Sequence, residues 1–197
     1  MPQLFYWHLI FWIWCAWALF WLVSAFGTKK AARREPFGPR LFYILIGVGG
    51  GVLLASRELP SPLNLRLWPR CALSYWIGIV VLLAGVAFAV WARVHLGRNW
   101  SGTVTVKEDH ELIRTGPYAY VRHPIYTGLI TGLIGTAICS GTLHAALGAA
   151  IIAAALYVKS RTEERFMRET FPGQYQKYCE EVPALIPFTR LPRSAPR

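Results

Sequence analysis

Two short stretches hold side chains whose types and spacing suit chemistry. The first, RTGPYAYVRHPIYTG from Arg114 to Gly128, sets two arginines, a histidine, three tyrosines and two prolines between long apolar segments. Gly116-Pro117 forces a turn, and Pro124 biases His123 away from helical geometry while suiting the first turn of a following helix. A helix starting there offers unpaired N–H groups and the positive end of its dipole beside His123 and Tyr126, a place for a carboxylate or another anion. Gly128 would let a flat or bulky ligand lie close to the backbone. The second stretch, RTEERFMRETFPGQYQKY from Arg161 to Tyr178, places Arg161 three residues before Glu164 and Arg168 four after it, so both arginines can meet that carboxylate on one helix face. Pro172-Gly173 ends the helix, and Tyr175 and Tyr178 open a short segment whose rings can cap a pocket. Taken singly, each arginine reads as a headgroup anchor; ionisable groups gathered at the ends of membrane spans read together as a site.

The elements that position these residues are apolar helices. The chain has 197 residues, 54% hydrophobic, with nine tryptophans, which is more apolar than one soluble core requires. Leu4 to Gly27 has no Lys, Arg, Asp or Glu, and at ~1.5 Å per residue its length crosses a ~30 Å hydrocarbon core. No basic n-region precedes it and no small-x-small cleavage site follows, so it is expected to be a spanning helix and GTKKAARR its stop-transfer flank. Leu41–Ser56 is a shorter, glycine-rich second span and Ala72–Leu96 a long third. Ile125 to Val158 exceeds one span, and CSGTLH at Cys139 to His144 divides it into a helical hairpin. The reading is an all-α integral membrane protein of about five transmembrane helices, with a cofactor pocket at its cytosolic face. Residues 1–96 hold helices one to three; residues 97–197 form a catalytic region of hairpin and cytosolic tail.

With five spans, 18 of the 21 lysines and arginines fall on one side and 3, Arg57, Arg66 and Arg70, on the other. Cytoplasmic loops carry such an excess, so the N-terminus is expected outside and the C-terminus inside. A net charge of +11 then matches anionic headgroups and needs no nucleic acid. The four cysteines, Cys15, Cys71, Cys139 and Cys179, form neither a C-x-x-C pair nor a metal set, and no metal is expected. GVGGG at Gly47 to Gly51 lies inside a span without the strand or the last glycine of a dinucleotide loop, so close helix packing is its expected use.

HELIRTGPYAYVRHPIYTG, followed by RTEERFMRETFPGQYQKYCEEVPALIPF, resembles the C-terminal half of isoprenylcysteine carboxyl methyltransferases and their bacterial relatives. The order R-H-P-x-Y-x-G then E-E is similar to that of phospholipid N-methyltransferases. The resemblance covers about Leu96 to Phe188. It implies a bacterial inner-membrane enzyme that binds S-adenosyl-L-methionine without a Rossmann fold and takes a lipophilic or lipidated substrate from the bilayer, most simply by carboxyl O-methylation. Carried over residue by residue, it implies that His123, Pro124, Tyr126 and Gly128 line the cofactor, with backbone from Tyr118 to Val121 enclosing it. Glu163 or Glu164 would bind the cofactor's ribose or amino group. Arg161 would orient a carboxylate, and Tyr175 and Tyr178 match the family's spaced aromatics on the substrate side.

A carboxylate acceptor is already ionised at pH 7, so positioning and desolvation are the main tasks. An amine acceptor must lose a proton, and His123 or a glutamate would then serve as base. Phospholipid or other amine N-methylation, a nicotinamide-dependent membrane reductase and a non-catalytic membrane protein are the rival readings. The extended HELIRTGPY and the tyrosine-rich tail rank N-methylation lower, the Glu163-Glu164 pair and the small size argue against the reductase, and the non-catalytic reading turns on whether His123, Glu163 and Glu164 converge on one cavity.

Overall fold

The structure is a computed structural model that describes residues 2–26, 31–34, 37–56, 59–97, 100, 105–107 and 112–189. Lys29, Lys30, Arg57, Arg98, the last three arginines and the motif's leading residues His110 and Glu111 lie outside these. The architecture is helical: α1 (Pro2–Ala25), α2 (Phe37–Ala55), α3 (Ala72–Leu96), α4 (Pro124–Ser140), α5 (Leu143–Thr170) and the short α6 (Gln174–Glu181). A small antiparallel ribbon, β1 (Ala31–Arg34) with β2 (Thr105–Lys107), is an addition to the sequence reading. It joins the loops that follow α1 and α3, which leave the bundle at the same end.

Three helices, Gln3–Ala25, Ala72–Leu96 and Leu143–Thr170, are long and apolar enough to cross a membrane; Arg40–Ala55 and Pro124–Ser140 are apolar but shorter. Their exposed faces carry Phe11, Trp12, Leu22, Leu73, Val80 and Val94, the surface expected against lipid.

Small residues set the helix spacing, since helices in lipid associate by close van der Waals packing. Along the antiparallel α3–α4 seam, Gly78 meets Gly135 and Cys139, and Gly85 meets Gly128 and Gly132. Trp14 Nε1 of α1 donates to Thr136 Oγ1 of α4 at 3.1 Å. α2 lies antiparallel on α5, with Gly50 against Gly148 and the Tyr43 hydroxyl 3.1 Å from Thr162 Oγ1. Of the GVGGG run, Gly50 alone makes the close approach expected of the group; a Cβ at Gly47, Gly49 or Gly51 meets nothing within 4 Å.

The hairpin turns where CSGTLH predicted it, with Gly141 left-handed at φ 67°. The loop before α3 docks on this turn: Leu67 N donates to Gly141 O at 2.8 Å, Leu143 N to Leu65 O at 2.9 Å and Trp68 Nε1 to Ile138 O at 2.9 Å. One end of the bundle is thus closed by the hairpin turn, and the other gathers the start of α4 and the charged end of α5.

Candidate functional site

At that second end the first motif folds as its prolines and glycines predict. Gly116 sits at φ 59°, open to glycine at little cost, and a Cβ there would lie 2.7 Å from the His95 ring. It begins a 3₁₀ turn, Gly116–Ala119, and Pro124 follows as the first residue of α4 with His123 as N-cap. The backbone of the motif is clamped from the tail: Arg122 N donates to Pro183 O at 2.9 Å, His123 N to Ala184 O at 3.0 Å and Thr127 Oγ1 to Leu185 O at 2.7 Å.

The two motifs meet in a buried charge cluster. His123 Nδ1 is 3.5 Å from Glu163 Oε2, and His123 Nε2 is 3.4 Å from Glu164 Oε1. The Tyr126 ring stacks on His123 at 5.7 Å between centroids and 9° between planes, and its hydroxyl donates to Glu163 Oε1. Lys159 Nζ lies 5.5 Å from the centre of the Tyr126 ring.

The paired acids differ in environment. Glu164 is fully buried, and Arg122 holds its Oε1 through Nε at 3.0 Å and Nη2 at 2.5 Å. Its Oε2 accepts from Arg161 at 3.2 Å and from Arg168 at 3.3 Å, the two contacts that the three- and four-residue spacings predicted. Arg122 Nη1 turns the other way and donates to the carbonyls of Cys179 and Val182. Glu163 keeps a quarter of its side chain exposed and is met by His123 and Tyr126. Burial works against a charged imidazole, but the hydrogen bonds to Glu163 and Glu164 outweigh it, so the His123 pKa is raised above its ordinary 6.5. Burial pushes the phenols of Tyr118, Tyr175 and Tyr178 upward, which keeps them neutral donors.

The other residues singled out in the sequence divide between this cluster and its supports. Tyr118, buried with Ile125, Tyr126 and Ala92, and Val121 and Pro124, also buried, form the wall behind the histidine. Arg161 bonds Glu164 yet leaves half its side chain exposed. At Gly128 the space of the absent side chain is taken by α3, since a Cβ would lie 2.5 Å from Gly85 O and 2.6 Å from Ala89 N, so this glycine serves close helix contact. Tyr175 and Tyr178 pack with Cys179, Leu112, Met167, Phe171 and Val182, and the Tyr178 hydroxyl donates to Tyr118 O at 2.5 Å. They brace the motif loop from behind.

Sequence reasoning gave Arg122 no role and passed over Lys159. The available signal was position: Arg122 directly precedes the histidine, and an arginine there is either a surface anchor or the partner of a buried acid. Its burial decides for the second.

Residues 76–169, from within α3 to near the end of α5 and so holding the first motif and the Arg161–Glu169 part of the second, match the model of the isoprenylcysteine carboxyl methyltransferase (ICMT) family. Through this segment, just under half of the chain, the protein is similar to that family. A protein-S-isoprenylcysteine O-methyltransferase of Schizosaccharomyces pombe is 33% identical over 153 residues, 73% of this chain and 65% of the relative. The cobalt-zinc-cadmium resistance protein CzcN of Cupriavidus metallidurans is 29% identical over 120 residues, 60% of this chain and 54% of that protein. A solved structure of the eukaryotic intramembrane Ras methyltransferase ICMT superposes with a TM-score of 0.53 at 24% identity, covering 78% of this chain and 54% of that one, which shows the shared fold. The chain spans between half and two thirds of the length of these relatives. The ICMT segment contains the His123–Glu163–Glu164 cluster and excludes α6 and the tail that clamps it.

Proposed function

We propose that this protein is an S-adenosyl-L-methionine-dependent methyltransferase of the membrane that esterifies the carboxylate of a lipophilic, isoprenylcysteine-like substrate. The observation that carries the reading is the convergence of His123 on both Glu163 and Glu164 across 40 positions of sequence, with the aromatic face of Tyr126 beside them. Snorkelling side chains have no reason to converge in a buried cluster; a polar pocket at the end of a helical bundle does.

The donor set fits a cationic cofactor. Glu163 is part-exposed and aligned by the Tyr126 hydroxyl, and the Tyr126 ring already takes one cation, the Lys159 ammonium, on its face. When bound, the cofactor supplies an electrophilic methyl group on a sulfonium. The chain's own residues then have three tasks. Glu163 and Tyr126 hold positive charge at the site. Glu164, held by arginines, fixes His123 and the start of α4. Arg161, tied to Glu164 by one nitrogen, has further guanidinium donors to orient an acceptor carboxylate in a bidentate grip. An ionised carboxylate needs no base, so His123 serves placement rather than proton removal.

In the same reading residues 1–96 shape the lipid-facing substrate entrance and residues 97–197 the catalytic region, with the site on the cytoplasmic side of a bacterial inner membrane. Calorimetric titration with S-adenosylhomocysteine tests it. Detergent-purified wild-type protein binds, a Glu163→Gln variant loses about tenfold or more in affinity, as for a charge-assisted bond, and a nicotinamide nucleotide gives no heat. Folded protein that ignores S-adenosylhomocysteine sinks the proposal.

A further inference from the structure

The segment that clamps the first motif continues past it. Pro183 O, Ala184 O and Leu185 O accept in turn from Arg122 N, His123 N and Thr127 Oγ1, so the chain advances along α4 from its N-cap through its first turn, ~6 Å at helical rise. Since α4 is one of the apolar helices and starts at the site end, this carries the segment toward the membrane rather than away from it. Leu185 turns inward onto the cluster of Tyr118, Ile125 and Tyr126, and the next two apolar side chains do not: Ile186 is 66% and Phe188 84% exposed. Thr189 Oγ1 donates to Ile186 O at 2.8 Å, and Phe188 is left-handed at φ 62°, a conformation that a bulky residue adopts only where its surroundings fix it. Residues 186–189 are thus a turn that presents two bare apolar side chains. The sequence that follows, RLPRSAPR, carries Arg190, Arg193 and Arg197 and no acidic residue. The acids just before the clamp are already engaged, Glu181 by Arg114 and Glu180 by Gln176.

We propose that this turn is an interfacial hook: Ile186 and Phe188 enter the leaflet at the site end, and the arginines that follow bind its anionic headgroups. Two apolar side chains level with the first turn of a spanning helix, with a basic and acid-free stretch next in sequence, suit the boundary between acyl chains and anionic phosphates. An acidic protein surface would match the arginines but leave Ile186 and Phe188 without an apolar partner. The hook bears on the site because it continues the clamp: the backbone that presents Ile186 is the one that holds the amides of Arg122 and His123. Drawn into an anionic leaflet, it holds the start of α4 and His123 in place, so lipid composition sets how firmly the charge cluster is closed. The inference depends on α4 crossing the membrane and on no step of the proposed methyl transfer.

The test uses the full chain in vesicles of phosphatidylcholine, with or without phosphatidylglycerol. An environment-sensitive fluorophore is attached through Phe188→Cys in a Cys71→Ser background, with Gln176→Cys on the exposed side of α6 as the reference position. At 188 the fluorophore should be quenched by spin-labelled lipid, more strongly with phosphatidylglycerol present, and at 176 by aqueous iodide. Quenching at 188 by iodide alone overturns the proposal. So does shielding at 188 that follows protein concentration instead of lipid, which would mean that a second copy covers the turn. Hydrogen exchange on the unlabelled protein reads the coupling to the site. The amides of Arg122 and His123 should exchange about fivefold or more slowly with phosphatidylglycerol than without, the effect of one arginine at an anionic surface. Ile186→Ser with Phe188→Ser, or Arg190→Gln with Arg193→Gln, should abolish that difference. Exchange that ignores lipid composition in wild type, or that responds to it equally in both double variants, overturns the proposal. Neither readout involves methyl transfer, so both stand or fall apart from the proposed activity.

Discussion

Glu163 and Glu164 are neighbours in sequence and opposites in environment. Glu164 is fully buried among Arg122, Arg161, Arg168 and His123, so Glu164→Gln strips the buried Arg122 of its counter-charge. Breaking a buried pair in this way costs about 3–5 kcal/mol. The variant should therefore unfold well below wild type in a detergent melt, whereas Glu163→Gln should melt close to wild type; equal melting of the two removes the distinction. His123 adds a pH dependence. Its surroundings are Glu163 and Glu164, with Lys159 near the first and the three arginines on the second, and their net effect raises its folded pKa above 6.5. A raised pKa means that the folded form binds the proton more tightly, so this stabilisation is complete below the unfolded pKa near 6.5 and fades as pH rises through the folded value. The melting difference between wild type and His123→Gln should be largest at mildly acid pH and shrink toward alkaline pH. A difference that grows with pH would mean that the imidazole is held neutral.

The elements show which signals the sequence carries and which it does not. Pro124 and the CSGTLH break marked where α4 starts and ends because they act on the local backbone, which sequence exposes directly. Gly116 was likewise legible as a turn. Arg122 and Gly128 were not, since the role of each depends on what a distant element brings: Glu164 and the tail carbonyls for the one, α3 for the other. The ribbon of β1 and β2 pairs four residues with three from far along the chain, too short to announce itself by alternation. The glycine seam yields its own test. A methyl group at 128 would lie 2.5 Å from Gly85 O and 2.8 Å from Ala89 Cβ, with backbone on one side that cannot rotate away. Gly128→Ala should cost about 1–3 kcal/mol by overpacking and, by prising α4 from α3, shift His123 and weaken the proposed binding of S-adenosylhomocysteine. Gly51→Ala, whose methyl meets nothing within 4 Å, should gain up to about 1 kcal/mol from helix propensity. If both variants behave alike in thermal unfolding, α3 and α4 are not packed as described.

At the scale of the molecule, the five apolar helices alternate in direction, which places the starts of α1 and α3 at the hairpin end and the ends of α3 and α5 at the charged end. Three of them are long enough to cross a bilayer, while Arg40–Ala55 and Pro124–Ser140 span about 24–26 Å at helical rise. A shortfall of that size against ~30 Å is met by local thinning or by flanking anchors at modest cost. Alternation then commits the protein: if all five cross, the two termini lie on opposite sides, and charge decides which is which. Among the described residues, Arg93, Arg114, Arg122, Lys159, Arg161, Arg165, Arg168 and Lys177 are at the site end, against Arg66 and Arg70 at the hairpin end. The site end should therefore be cytoplasmic, where an S-adenosylmethionine pool is available. Cys71, exposed at the hairpin end, provides the check, because Cys139 and Cys179 are buried and the half-buried Cys15 sits in the middle of the apolar α1, away from water. In intact cells a membrane-impermeant maleimide should label Cys71 from outside, and a C-terminal reporter that matures only in the cytoplasm should be active. Labelling of Cys71 only after permeabilisation, with the reporter silent, would turn the bundle over and leave His123 and Glu163 facing a compartment without the methyl donor, an outcome that topology alone would make fatal to the methyltransferase reading.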